Sequence, residues 1–410
     1  VDRFLKNELM FLYAKISYLR GESMNEVTEK KSIFSKNIKD IDIKDIDIKK
    51  ILNKEITFNK KRTGNLISID IGSTDIKFLL GEYFEDIFRV SVLESMTLPK
   101  DIYDSGFIKD EEIIIHFIRN FIEKHKITEQ NVVLCVESAD IIRREMSMPV
   151  MEKELAISTV KYEISEFLPI DIEKYIIQYS EIRREIVDGV ENMVIMVYAF
   201  PEDNARHFYE VIEKAGLIPY ALDIQSHCVG KLLKYKRINN IPVENKTVAL
   251  IDIGNSGMGI SIIKNKNLEF NRIVKGVISL REALVRRNLC AEYEVDDLLD
   301  SYGKQNIFTT DINESKIAIQ EEMIFVIDAW ITDILKLFQY YTSRSTSNRI
   351  DYVFIYGGGA KIKNIDLYIG SRLGIQTRKI SSIDGLQVPY SSKDKEISKY
   401  INCISAIVGR

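Results

Sequence analysis

Read as a pattern of apolar and polar positions, the chain is marked by three short apolar runs that each end in glycine. In Leu66–Ile71, residues Ile67, Ile69 and Ile71 fall on one face at period two, with Ser68 and Asp70 on the other, which predicts a strand. Gly72-Ser73-Thr74 breaks the run, and 75–80 resumes it as the second arm of a tight hairpin. Val248–Ile253 repeats the design: an apolar strand, Asp252, one apolar residue, then Gly254-Asn255-Ser256-Gly257 and a new strand over 259–263. The third run, 351–356, enters Gly357-Gly358-Gly359-Ala360 and then a predicted helix over 364–373.

Between these marks the periodicity alternates between strand and helix. Strand 88–93, helix 110–125 and strand 131–137 come first, followed by strand 141–148 and a helix over 152–167 stopped at Pro169. Strand 175–182 follows, and strand 193–200 is expected to return to the parent sheet. A helix opened by Pro201 and closed at Gly216 leads to strand 217–222 and helix 225–235. After strand 268–274, Gly276 opens a helix with Ser279 as its expected cap, and helices over 295–302, 314–342 and 397–408 complete the pattern. The first 63 residues differ: they carry Asp-Ile-Asp-Ile-Lys written twice within 39–50, and the expectation is a flexible extension. The chain opens on Val, which makes Met24 an alternative start.

Composition narrows the class. At 410 residues and 45% apolar, the chain is expected to build more than one core. A net charge of −4 gives no case for a nucleic-acid surface. Cys135, Cys228, Cys290 and Cys403 form no C-x-x-C pair, which argues against a disulfide scaffold or zinc site and for a reducing compartment. The four histidines are not at ligand spacing, and no run has the length of a membrane span or a secretory h-region, so a cytoplasmic protein is expected.

The glycine turns carry the chemistry. Successive N–H groups in such a turn form a nest for phosphate oxygens, and glycine permits close approach. A carboxylate beside the nest would repel phosphate unless a magnesium ion or its waters lie between. One copy alone fits equally an ordinary hairpin with a solvent-facing Asp. Two copies plus the third glycine turn, in this order, resemble the actin/hexokinase/Hsp70 ATPase superfamily. The resemblance implies an α/β, two-lobed fold.

The middle of the chain resembles a narrower family. Ser147-Met148-Pro149, the helix ending Glu163-Ile164-Ser165-Glu166-Phe167-Leu168-Pro169-Ile170, the strand Tyr175-Ile176-Ile177-Gln178-Tyr179 and the segment 214–225 look like the type IV pilus assembly protein PilM family, related to FtsA. The likeness runs from Leu66 to the C-terminus. It implies a first lobe over 64–245 with an extra subdomain at about 138–190, a second lobe over 246–396 and a connecting helix over 397–410, after the extension 1–63. It also implies ATP and Mg²⁺ as cofactors. Gly72, Ser73, Thr74, Lys77, Gly254, Asn255 and Ser256 would serve the phosphates, and Gly276, Gly357, Gly358, Gly359 and Ala360 the rest of the nucleotide. Asp70 and Asp252 would hold the metal through water. For Lys77 the ordinary alternative is a solvated side chain.

Gln225 falls where actin orients the attacking water. The family often has Glu there, and glutamine cannot take a proton, so hydrolysis is expected to be slow. Leu299 stands where relatives often place a lysine near the adenine. The family further implies a peripheral protein at the inner face of the membrane. Its partners there would be the cytoplasmic tail of PilN, other inner-membrane assembly proteins and motor ATPases. The expected docking residues for the tail are Ile157, Val160, Ile164 and Phe167, although the same helical spacing also fits packing on the module's own sheet. Two alternatives stand beside this reading. One is an FtsA-like cell-division protein, whose usual terminal amphipathic helix is not expected in a chain ending at Arg410. The other is a small-molecule phosphotransferase, for which no catalytic carboxylate is evident.

Overall fold

The computed structural model describes residues 64–408, apart from 169, 235–236, 309–316 and 391–395. The expected extension over 1–63 and the stop at Pro169 lie outside the described residues.

Two sheets built on one plan organise the chain. The first has strands β1 (Leu66–Ile71), β2 (Asp75–Phe84), β3 (Ile87–Thr97) and β4 (Asn131–Val136). The second repeats the plan with β9 (Thr247–Ile253), β10 (Gly257–Lys264), β11 (Asn267–Lys275), β12 (Tyr352–Tyr356) and β13 (Thr377–Lys379). In each, three antiparallel strands form a meander whose first strand also pairs in parallel with a later one: β1 with β4, and β9 with β12. β8 (Ile218–Ile224) pairs in parallel with β4 and ends the first sheet as β13 ends the second.

Both central strands are covered on two faces. Ile67, Ile69 and Ile71 of β1 pack with Ile114, Ile118 and Phe121 of helix α1 (Glu111–His125) and with Phe208 and Ile212 of α3 (Glu202–Lys214). Ala249, Ile251 and Ile253 of β9 pack with Trp330, Ile334 and Phe338 of the 27-residue helix α7 (Ile317–Ser343). The opposite faces meet in one shared core. There Leu66, Val133, Val248 and Leu250 close around Cys228 and Val229 of α4 (Gln225–Gly230) and Ile401, Cys403 and Ile404 of α9 (Ile401–Ala406). Ala406 is buried at this crossing. Two short helices thus run between the lobes.

The inserted module is a three-stranded antiparallel sheet in the order β5 (Ile142–Pro149), β7 (Val190–Pro201), β6 (Tyr175–Val187), with α2 (Lys153–Phe167) packed on it. This corrects two expectations. The run 193–200 does not return to the parent sheet, and the module therefore reaches Pro201 rather than about 190. The physical reason is burial on both faces: α2 covers one, while Ile224 and Leu268 pack against Val194, Met196 and Tyr198 on the other. Such a strand reads as a continuous apolar run, like a strand of a parent sheet.

The proposed docking helix is corrected as well. Val160 and Ile164 are wholly buried against Ile177, Ile195 and Val197 and cannot touch a partner while the module is folded. Ile157 is half-buried; Phe167, the fourth residue of the expected docking set, is exposed, as are the large apolar side chains of Leu155 and Tyr162 (59%, 58% and 64%). Two smaller differences follow. Helix α5 (Ile278–Arg286) starts without a side-chain cap, because the Ser279 hydroxyl donates to Gly276 O (2.6 Å) and accepts from Trp330 Nε1 (2.9 Å). Leu386–Gln387 already pairs with β3, before the expected end of the second lobe. Among the described residues no helix is long and apolar enough to cross a membrane.

A charge on α2 tests this packing. Ile164→Asp buries an unpaired carboxylate, a cost of several kcal/mol, and is expected to release amide protons of 142–201 to rapid hydrogen exchange. Leu155→Asp, on the exposed side, should leave exchange in the module unchanged.

Candidate functional site

The two hairpin turns face each other across a cavity of about 1400 Å³. Each turn is tight. Gly72 N donates to Asp75 O (2.9 Å), and a Cβ on Gly254 would stand 2.5 Å from Gly257 O. The turns also touch, because Asn255 Nδ2 donates to Ser73 Oγ (3.0 Å). Gly72, Ser73, Thr74, Gly254, Asn255 and Ser256 all line the cavity.

Beneath the turns lie the carboxylates. Asp70 is 1% exposed, so it is neither solvent-facing nor an ordinary hairpin aspartate. Its Oδ1 accepts from Gln225 Nε2 (2.9 Å) and its Oδ2 from Lys77 Nζ (3.2 Å) and Asn402 Nδ2 (3.4 Å). The same Asn402 amide donates to Asp252 Oδ2 at 3.0 Å. Asn402 therefore ties together carboxylates carried by different lobes. Lys77 is largely buried rather than solvated; burial would lower its pKa, but the facing Asp70, Asp252 and Asp75 raise it on balance. Lys399, near α9, adds a second cation by pairing with Asp75 (3.2 Å).

Asp252 is the strained member. Burial, with the Asp70 charge added to it, pushes its carboxyl up to about 7 against the opposing effects of Asn402 and Lys77. Gly357 packs directly on it: at φ +90°, a Cβ there would lie 2.1 Å from Asp252 Oδ1. A Cβ on Gly359 would meet Ile253 at 2.3 Å, whereas one on Gly358 would meet nothing within 4 Å and would project into open space. The three glycines thus divide into two that let the loop pack and one that keeps the cavity free.

Two expected residues stand behind the cavity rather than in it. Ala360 belongs to the second lobe's core, and Gly276 braces the second hairpin, where a Cβ would lie 2.2 Å from Gly254 O. Leu299 does line the cavity. Residues not picked out from the sequence are Asn402, Lys399 and Glu137. Glu137 lines the cavity with its pKa raised by burial, while Arg143 and the Ser138 N–H hold its Oε1. For Asn402 a signal existed: it is a polar residue inside the apolar run 400–408.

The donor set fits a hydrated divalent cation. The described residues hold no group of three or more His, Cys, Asp or Glu placed to bind a metal directly. They hold instead two carboxylates and the buried Asn402 Oδ1, which has no hydrogen-bond partner. Oxygen acceptors near a phosphate nest suit an ion that keeps most of its waters, as Mg²⁺ does. Bound there, such an ion would neutralise phosphate charge; Asp70 and Asp252 would orient its waters, and Lys77 would meet the phosphates as a point charge.

A family model described as type IV pilus assembly protein PilM matches residues 68–295. Among solved structures, the chain is similar to one described as a PilM-PilN type IV pilus biogenesis complex, at 15% identity and a TM-score of 0.68, covering 84% of this chain and 97% of that one. It is also similar to the ethanolamine utilization protein EutJ from Carboxydothermus hydrogenoformans, at 12% identity and a TM-score of 0.50, covering 88% and 96%. The fold is the two-lobed actin-like fold.

The Asp252 shift has a consequence for stability. The folded-state pKa lies above that of the unfolded chain, so the folded state holds the proton more tightly. This contribution is complete below about pH 4 and is lost as pH rises through 7, worth up to about 4 kcal/mol. Asp252→Asn should therefore raise the melting temperature of the ligand-free protein at pH 8 by several degrees and leave it nearly unchanged at pH 4, as read by calorimetry.

Proposed function

Because the chain belongs to the type IV pilus assembly protein PilM family, we propose that it is a nucleotide-binding adaptor that holds ATP with Mg²⁺ between its lobes. The observation that carries this reading is the pair of glycine hairpins joined by Asn255 and Ser73, with Asp70 and Asp252 behind them. Gln225 supports a ligand role for the nucleotide over a fuel role: its amide cannot take a proton, and it already donates to Asp70. ATP would then set the angle between lobes, and partner affinity would follow that angle.

The partner is the cytoplasmic tail of PilN, the companion in the similar PilM-PilN structure, and it would hold this protein at the inner face of the membrane. The docking site we favour is β8. It is an edge strand, hydrogen-bonded among the described strands to β4 alone, and it shows Ile218 and Leu222 at 50% and 36% exposure on one face. An extended tail can add to such an edge through main-chain hydrogen bonds, with its aliphatic side chains on the apolar positions.

Two measurements test the proposal. Mg-ATP should raise the melting temperature by mass action. Asp70→Ala and Gly358→Val should each remove that shift, the second without loss of fold because its side chain enters open space. Full shifts in both variants would put the nucleotide elsewhere. For the partner, a labelled peptide of the PilN tail is expected to bind Leu222→Glu at least tenfold more weakly than wild type and Leu155→Asp equally well. The reverse order would move the site to α2.

A further inference from the structure

Asn402 sits where packing alone would choose an apolar residue. Its neighbours Ile401, Cys403 and Ile404 are fully buried in the core shared by the lobes, and Asn402 itself is 5% exposed. A buried amide in such a place is costly unless its groups are satisfied. Half of it is: Nδ2 donates to Asp252 (3.0 Å) and Asp70 (3.4 Å). These contacts also fix which way the amide points, since the flipped form would turn its oxygen onto two carboxylates. The oxygen is thereby committed to the other side, buried and without a partner. What it lacks is a hydrogen-bond donor. What Asn402 offers the cleft is its amide N–H, which fixes the spacing of two carboxylates suited to a hydrated cation.

We propose that Asn402 is a positioning residue for a hydrated divalent cation carried in with the nucleotide, and that through it α9 responds to a loaded cleft. The inference rests on the nucleotide reading above and deepens it. Asn402 sets the gap between Asp70 and Asp252 through its Nδ2, and that gap receives the hydrated cation. A cation bound between these carboxylates redistributes the bonds that α9 makes to both lobes.

The test separates the cation from the nucleotide. ATP affinity of the full chain is measured by calorimetry with Mg²⁺ and again with EDTA. Wild type should bind at least tenfold more tightly with Mg²⁺. Asn402→Leu should cut that ratio to threefold or less, and this Mg²⁺ dependence, rather than the affinity itself, is the readout that a purely structural role would not move. Asn402→Asp, an isostere, adds a third carboxylate to the cradle. Mg²⁺ without nucleotide should therefore raise its melting temperature by several degrees and leave wild type unmoved. A wild-type ratio in Asn402→Leu, or no response of Asn402→Asp to Mg²⁺, overturns the proposal. Should Asn402→Leu not fold, Asn402→Ser is read by the same ratio. A wild type that binds no ATP under either condition refutes the nucleotide reading itself, which is a different outcome.

Discussion

Two carboxylates held near one another across a cleft are the constraint on which this structure depends. Asp70 and Asp252 carry like charge, and after burial the Asp70 charge is what raises the Asp252 carboxyl further. The groups that offset it come from different parts of the chain. Lys77 is on β2, Gln225 begins α4 and Asn402 is on α9. Hairpin and crossing helices therefore have to meet at one point. The duplicated sheets supply that meeting place, since both hairpins emerge from equivalent central strands.

The crossing helices are anchored by a second polar centre. Asp223, at the end of β8, accepts from Lys231 (2.9 Å) and contacts His227 Nδ1 (2.7 Å). Burial pushes its carboxyl up, but the Lys231 ammonium and the His227 ring outweigh that and hold it below the usual carboxylate range. Lys231 Nζ also donates to Val408 O (3.0 Å), which joins α4 to the chain after α9. The two helices are thus linked to each other by Lys231 and to the carboxylates by Gln225 and Asn402. Farther out, Arg344 of the second lobe reaches Glu145 of the module (2.7 Å), an exposed pair of the kind that contributes little energy.

Much of this was legible in the chain. The period-two runs ending in glycine located the hairpins, and their repetition located the lobes. What periodicity cannot supply is the identity of the covering surface. Val160 and Ile164 have the spacing of an apolar face, but only tertiary structure says that the module's own sheet covers it. The run 193–200 looked like a parent strand because burial on two faces erases alternation. Gly276 and Ala360 have the smallness expected of a cavity wall, but that smallness serves packing behind it. Asn402 is hard to find for the converse reason: an isolated polar residue in a mostly apolar run carries no period, and its partners lie 150 and 332 residues away.

The arrangement explains why a ligand in the cleft should matter far from it. Without a cation, burial and the Asp70 charge push the Asp252 pKa up to about 7, so this carboxyl holds a proton more readily than a free one. A cation supplies the missing positive charge and makes that proton unnecessary. The change falls on atoms bonded to α9 and α4, and these helices form the core between the sheets. A close-packed core does not absorb small displacements gradually; it shifts between packings. Under the proposed function, charge compensation at two carboxylates would change how the lobes rest on α4 and α9. The first sheet carries β8 directly before α4, at the sheet's edge. A surface on β8 would thus read the state of the cleft through the single residue step from Ile224 to Gln225.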